Sequence, residues 1–112
     1  MITPALVQDL RAIVGSRGVV DTAEGRLTYE CDMHTFYKGI PDVVVLPERA
    51  DQVLEVVRRC RRDGVPIVPR GSGTGLIGGA MAPRGGVMVS TTRMNRILEV
   101  DWENRCGECL NR

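Results

Sequence analysis

The sequence predicts an α+β domain of α/β character, with an N-terminal helix placed before a strand, a helix and a second strand. Two short apolar runs, Asp42 to Leu46 and Val65 to Val68, have the β-branched composition and flanking prolines of buried strands. Between them, residues 50–63 repeat apolar side chains at helical spacing. Strand, helix and strand with short links form a βαβ unit, which predicts a parallel pair and a right-handed crossover.

The first helix is predicted to begin at Pro4 and to end before Gly15. Thr3 can cap it, and proline suits the first helical position. Its apolar residues recur at helical spacing: Leu6, Val7, Leu10, Ile13 and Val14. After it, Val19 and Val20 fit a short extended piece, and residues 26–32 fit either a turn of helix or an extended link.

The second helix has a predicted apolar stripe of Val53, Val56, Val57 and Cys60, and Gly64 ends it. Acidic residues lie near its start and four arginines near its end, which complements the helix dipole. We interpret the arginines as a solvated, dipole-matched face; the alternative is a patch for a polyanion. Farther along, residues 86–90 predict a third strand, 91–96 a connector with one helical turn, and 97–100 a fourth extended piece.

Length and charge exclude several classes of protein. The 112 residues leave room for one small domain, and a net charge of +1 gives no bulk attraction to nucleic acid or to a membrane. No apolar run has the length of a transmembrane segment, and no signal-peptide pattern is present at the N-terminus. We expect a cytoplasmic protein, with any association with the inner membrane made through partner subunits.

A glycine-dense loop follows the second strand. Glycine occupies five of the nine positions from 71 to 79. Glycine at this density is costly in chain entropy, but it allows successive N–H groups to face one concave surface that binds phosphate. Ser72 and Thr74 add hydroxyl groups. Arg70 adds a positive charge at the entrance, suited to a phosphate or to a structural carboxylate.

Three phosphate-binding templates compete for this loop. The Walker template needs a lysine after the glycines, and the only lysine is Lys38. Residues 73–78 satisfy GxGxxG, but the Rossmann template also needs a helix to start there, and Pro83 and further glycines disfavour one. The third template binds a diphosphate with backbone amides alone, between two strands.

The run from Pro66 to Ala80 resembles the diphosphate-binding loop of FAD-linked oxidases of the vanillyl-alcohol oxidase, or PCMH, type. The resemblance is strongest to the group of glycolate oxidase FAD subunits and D-lactate dehydrogenases, and it extends to residues 29–32, 41–47 and 93–101. It implies that the loop binds the diphosphate of FAD. The residues carried over by position are Arg70, Gly71, Ser72, Gly73, Thr74, Gly75, Leu76, Gly78, Gly79 and Ala80.

The resemblance also implies non-covalent FAD, because members that link FAD through this loop carry a histidine in it and this loop has none. Ile77 departs from the small residue usual at its position. The implied organisation is an N-terminal helix and connector over 1–37, the first subdomain of a PCMH-type FAD-binding domain over 38–105, and a tail unlike the family over 106–112. The second subdomain and the cap are missing, so we expect a truncated or frameshifted chain or a natural fragment.

Two function classes remain open, and neither assigns a catalytic residue or a metal ligand to this chain. The first is the FAD-binding part of a flavin-dependent oxidoreductase that acts on a 2-hydroxy acid such as glycolate or D-lactate. The second is a non-enzymatic fragment or small subunit that needs a partner chain to bind FAD.

A weaker alternative is a nucleotide-binding module with zinc in its tail. Cys106 and Cys109 form half of a zinc motif, but Cys31 and Cys60 do not form a second pair and are expected to be buried thiols. His34, the only histidine, is interpreted as a loop residue rather than as an acid–base group or a metal ligand.

Overall fold

The computed structural model describes residues 2–109, and a four-stranded sheet lies at its centre. The strands are β1 (Val19–Val20), β2 (Val43–Val45), β3 (Ile67–Arg70) and β4 (Val87–Ser90), in the order β1-β2-β4-β3. β1 pairs antiparallel with β2, whereas β4 is parallel to both β2 and β3. The mixed α/β fold class predicted from the sequence is confirmed.

The predicted βαβ pair needs one correction, because β2 and β3 are not neighbours. β4 lies between them, and all of its residues are buried. A strand with neighbours on both sides and protein on both faces favours a continuous apolar run, and the sequence of β4 is Val-Met-Val-Ser. The glycine-rich segment between β3 and β4 is therefore a crossover connection between two adjacent parallel strands.

The second predicted strand, Val65 to Val68, is also displaced from its predicted position. β3 begins at Ile67 and ends at Arg70, two residues later than the sequence indicated. Val65 is buried just ahead of it, and the carbonyl of Pro66 accepts a hydrogen bond from Val87 N at 2.9 Å. Pro69 lies inside β3, which is an edge strand, where the missing N–H of proline is tolerated. Arg70 is thus the last residue of a strand, opposite Ser90.

Two helices cover one face of the sheet. α1 (Pro4–Val14) begins as predicted, with Leu6 N donating to Thr3 Oγ1 at 3.2 Å, and α3 (Ala50–Arg62) packs beside it. Alternate strand residues point into this layer and form the main core with both helices: Val43, Val45, Val87 and Val89 with Leu6, Leu10, Val56 and Cys60. Burial raises the pKa of the Cys60 thiol, so this cysteine stays protonated.

The predicted apolar stripe of α3 was wrong at Val57, which is 38% exposed. The buried face runs through Gln52, Val56 and Cys60, four residues apart, and Val57 lies about 100° around the helix from Val56. Gln52 can be buried because both the oxygen and the nitrogen of its side-chain amide form hydrogen bonds. Its side chain accepts from Glu48 N at 2.8 Å and donates to the carbonyl of Ile13 at 3.2 Å, which ties the start of α3 to the end of α1.

The arginines of α3 are largely engaged by carboxylates, in agreement with a solvated face. Arg59 contacts Asp9 and Asp63, both at 2.6 Å, and Arg58 contacts Glu55 at 3.3 Å. Within residues 2–109, no helix is both long enough and apolar enough to cross a membrane.

The opposite face of the sheet is covered by loops instead of helices. Val44, Met88 and Ala82 are buried there, with Val20, Tyr29 and Val68 packed around them. The covering layer consists of residues 28–39 and of the segment between β3 and β4. The short helix α2 (Ala23–Leu27) leads into this layer, and a turn follows the helix. The end of the helix and the turn lie at the start of residues 26–32, for which the sequence allowed either a turn of helix or an extended link.

The C-terminal part forms a separate hairpin of β5 (Ile97–Asp101) and β6 (Cys106–Cys109). Hydrogen bonds from the backbone and side chain of Asn104 to Asp101 close its turn and lower the pKa of that carboxyl. The hairpin exposes apolar side chains: Ile97, Leu98, Val100 and Trp102. The last three residues of the tail, 110–112, lie outside the described residues.

Replacement of Met88 by alanine tests the central position of β4. Met88 is fully buried, so we expect Met88→Ala to lower the free energy of unfolding by about 2–5 kcal/mol in a urea titration. Ile97→Ala is the matched control, because Ile97 is 69% exposed and its loss should change stability by about 0.5 kcal/mol or less. Equal losses from the two variants would contradict the described core.

Candidate functional site: the glycine loop

The candidate site is the loop that leaves β3 after Arg70. It starts at the carboxyl end of a parallel strand, crosses the loop-covered face of the sheet and returns to the amino end of β4. Ligands of open parallel sheets bind in crevices outside the carboxyl ends of the strands. The topology therefore places the glycine-rich residues where a ligand crevice is expected.

Arg70 connects the start of the glycine loop to its far end through hydrogen bonds. Its Nη1 donates to the carbonyl of Cys31 at 2.9 Å and to the carbonyl of Ala80 at 3.1 Å. Its guanidinium lies 5.5 Å from the centre of the Tyr29 ring, within the range of a cation–π contact. One side chain thus joins the end of β3, the far end of the loop and the segment before Asp32. This arrangement agrees with a structural role for the arginine.

Gly73 is required by this arrangement. A Cβ atom on Gly73 would overlap the guanidinium of Arg70, and the backbone φ of 76° is one that other residues rarely adopt. Glycine at this position is therefore explained by the chain itself.

A second loop, residues 30–39, supports the first. Met33 N donates to the carbonyl of Gly75 at 3.2 Å, and Ala82 N donates to the carbonyl of Gly39 at 3.3 Å. A Cβ atom on Gly39 would collide with the backbone of Ala82, so the two loops approach as closely as glycine permits. They form one layer whose outer surface carries the site.

A cavity of about 370 Å³ opens along the glycine loop. It brings together seven of the ten predicted site residues, with Asp32, Pro69 and Ile77 added: Gly71, Ser72, Gly73, Thr74, Gly75, Gly79 and Ala80. Arg70 lies behind it, and Leu76 and Gly78 are not among its lining residues. Ile77, the departure from the family pattern, is 91% exposed at the rim. The hydroxyl oxygens of Ser72 and Thr74 lie 3.2 Å apart.

Gly71 and Gly79 differ from Gly73 in a way that bears on binding. A Cβ atom on either would meet no described atom within 4 Å, and neither residue has the left-handed backbone that favours glycine. Their lack of a side chain is thus explained neither by conformation nor by packing within residues 2–109. The open space at both positions fits a diphosphate, which must approach backbone N–H groups closely to accept hydrogen bonds from them.

Asp32, which has no role predicted from the sequence, lies in the cavity wall. This residue is 6% exposed; its Oδ1 accepts a hydrogen bond from His34 N at 2.8 Å, and its Oδ2 has no partner. Only its inclusion in the family-like run 29–32 marked it. No spacing rule connects a residue so far upstream to the glycine loop.

The other singled-out residues lie away from the cavity lining. His34 stacks on Tyr37 with ring centres 5.1 Å apart. Cys106 and Cys109 are exposed on β6, and three positions along a strand place side chains on opposite faces. Across residues 2–109, no group of three or more histidine, cysteine, aspartate or glutamate side chains could hold a metal ion.

Comparison with solved structures supports this fold. The chain is similar to alkyldihydroxyacetonephosphate synthase, with a TM-score of 0.79 and 26% identity over 90% of this chain and 23% of that one. It is also similar to p-cresol methylhydroxylase, with a TM-score of 0.76 and 26% identity over 91% of this chain and 21% of that one. The predicted relationship to PCMH-type flavoproteins is confirmed.

Comparison with curated proteins gives the same family. The chain is 39% identical to the glycolate oxidase subunit GlcD of Bacillus subtilis, over 93% of this chain and 22% of that protein. It is 36% identical to D-lactate dehydrogenase of Anaerostipes hadrus, over 92% of this chain and 22% of that protein. The chain thus spans about a fifth of the length of these relatives.

The model of one family, described as FAD binding domain, matches residues 41–107. The match begins just before β2 and ends inside β6, so it includes the three parallel strands, α3 and the whole glycine loop. This chain belongs to the FAD binding domain family.

Proposed function

We propose that the loop from Arg70 to Ala80 holds the diphosphate of a non-covalently bound FAD, as part of a flavin-dependent oxidoreductase that acts on a 2-hydroxy acid. The observation that carries this proposal is the open space at Gly71 and Gly79, which nothing within the described chain requires. Backbone amides between those residues are the proposed hydrogen-bond donors, and the Ser72 and Thr74 hydroxyls, which share one hydrogen bond with each other, add at least one more.

Each remaining site residue has a proposed part in this binding. Arg70 fixes the loop and adds positive charge behind the diphosphate, and Gly73 makes room for its guanidinium. Gly75 gives its carbonyl to Met33, while Gly78 takes a left-handed turn with φ of 74°. Leu76 is 68% exposed and offers an apolar contact at the loop tip, and Ala80 anchors the loop through its carbonyl.

Non-covalent attachment is proposed from the side chains that the loop contains. Residues 70–80 include no histidine, cysteine or tyrosine, so they offer no side chain of the kinds that commonly bond to a flavin. The bound cofactor would supply the capacity to accept a hydride from the carbon that carries the substrate hydroxyl. No residue of this chain is proposed as catalytic.

The substrate class is proposed from the relatives. Their names specify glycolate oxidase, D-lactate dehydrogenase and D-2-hydroxyglutarate dehydrogenase, at 34–39% identity. Glycolate, D-lactate and D-2-hydroxyglutarate all carry a hydroxyl group on the carbon next to a carboxylate. A 2-hydroxy acid is therefore the proposed substrate of the complete enzyme.

The second candidate is a chain that binds FAD firmly only when another segment or partner chain completes the domain. The exposed apolar side chains of the hairpin favour it, since Ile97 is 69% and Trp102 86% exposed.

We keep the division into residues 1–37, 38–105 and 106–112 as a proposal, although α1 shares its core with the strands. A cytoplasmic location also stays a proposal; the four free thiols fit a reducing compartment.

Substitution of Gly71 and Gly79 tests the binding surface. We expect Gly71→Ala and Gly79→Ala each to weaken FAD binding about tenfold, since a methyl group displaces the diphosphate from one or two amides worth about 1 kcal/mol each. Equilibrium dialysis against FAD, extended to millimolar concentration because the isolated chain should bind weakly, measures the change. The variants should unfold at the wild-type temperature or slightly above it, because the added methyl meets nothing within 4 Å and alanine restricts the unfolded chain.

Gly107→Ala is the matched control for these variants. Gly107 lies in the exposed hairpin, lacks a left-handed backbone and has its nearest Cβ neighbour at 3.8 Å. It should bind FAD as the wild type does. Wild-type affinity in both loop variants would contradict the proposed diphosphate site.

Arg70→Lys and Arg70→Gln separate geometry from charge. A lysine keeps the charge but cannot reproduce the planar guanidinium that reaches two carbonyls beside an aromatic ring. We therefore expect both variants to lose about 1–2 kcal/mol of unfolding free energy, because partly buried carbonyls are left without a donor. FAD affinity should fall in both, and further in Arg70→Gln, which also removes the positive charge behind the diphosphate. If Arg70→Lys retained full affinity and stability, the arginine would act through its charge alone.

A further inference from the structure

The unpaired oxygen of Asp32 is the strongest unexplained feature of the site. Asp32 is 94% buried and is one of the residues that line the glycine-loop cavity, and its Oδ2 lies 3.6 Å from where a Cβ on Gly75 would stand. The other oxygen already accepts from His34 N at 2.8 Å. Burial without a hydrogen bond is costly for a carboxylate oxygen, so this position calls for a donor that the described chain does not provide.

A phosphate group is excluded as the direct neighbour of this oxygen. Two negative groups in contact repel each other, and the repulsion is stronger in a partly buried site than in water. A cation held by protein side chains alone is also disfavoured, since no group of three or more possible ligands exists among residues 2–109. The group that fits is a neutral donor placed beside the diphosphate.

The structure assigns Asp32 to a sugar hydroxyl: we propose that its Oδ2 accepts a hydrogen bond from a hydroxyl of the ribityl chain or ribose adjoining the diphosphate. Both sugars of FAD are joined to the diphosphate through one methylene group, so their hydroxyls lie within a few bonds of it. The cavity would then select a sugar diphosphate over a bare diphosphate. This inference rests on the proposed function, since it assumes that the glycine loop holds the diphosphate.

The test compares Asp32→Asn with the wild-type chain. Asparagine keeps an oxygen for His34 N and places an NH₂ donor where Oδ2 accepted. Binding of FAD, ADP and inorganic pyrophosphate is measured by equilibrium dialysis, with the 112-residue chain at the same salt concentration throughout. Asp21→Asn is the control for net charge, because Asp21 is exposed, pairs with Arg11 and follows β1, at the opposite edge of the sheet from β3.

We expect Asp32→Asn to weaken FAD binding about tenfold and to leave pyrophosphate binding unchanged or tighter. ADP identifies the sugar: an equal loss for ADP assigns the ribose, and a loss for FAD alone assigns the ribityl chain. Asp21→Asn should bind all three as the wild type does.

FAD binding by Asp32→Asn that equals or exceeds the wild type would overturn the hydroxyl assignment while leaving the diphosphate site intact. A wild-type chain that binds neither FAD nor pyrophosphate would overturn the diphosphate site, and the hydroxyl assignment with it. A second measurement needs no substitution: the ¹³C resonance of the Asp32 carboxyl should move on addition of FAD and stay in place on addition of pyrophosphate. An Asp32 carboxyl resonance that does not shift on addition of FAD would also overturn the assignment.

Discussion

Two hydrogen bonds from one guanidinium nitrogen hold the candidate site together. Arg70 is the last residue of β3, and its Nη1 reaches the carbonyls of Cys31 and Ala80. The first carbonyl belongs to the supporting loop and the second to the far end of the glycine loop. Because both loops cover the same face of the sheet, this contact fixes the surface on which a ligand would lie. Because these hydrogen bonds hold the glycine loop in place on its inner side, its outer side can stay open to a ligand.

Four of the five glycines of the loop fall into two physical classes. Gly73 and Gly78 have left-handed backbones, and Gly73 also makes room for Arg70, so the fold itself accounts for them. Gly71 and Gly79 have neither property, and the space beside them is empty. A ligand that must touch the backbone accounts for glycine where the fold does not. This difference separates a structural loop from a binding loop and supports the proposed diphosphate site.

The bounds of several helices and strands could be predicted from the sequence, because signals between residues close in the chain determine them. Thr3, Pro4 and Gly15 set the bounds of α1, and the prolines and valines around residues 41–47 mark β2. The sequence could not place β4 between β2 and β3, because strand order depends on contacts between distant residues. Nor could it predict that Gln52 would replace Val57 on the buried face of α3, since that choice depends on the carbonyl of Ile13 in another helix. Asp32 was missed for the same reason: it enters the site only when two loops pack together.

Diphosphate binding at the glycine loop is tested most directly by mapping FAD onto the backbone by NMR. In ¹H–¹⁵N spectra of the 112-residue chain titrated with FAD, we expect the largest shifts at the amides of residues 71–79. The amide resonances of β5 and β6 should not shift, because the hairpin lies outside the cavity lining. Shifts concentrated on the exposed hairpin, or no shifts at the glycine loop at millimolar FAD, would contradict this expectation.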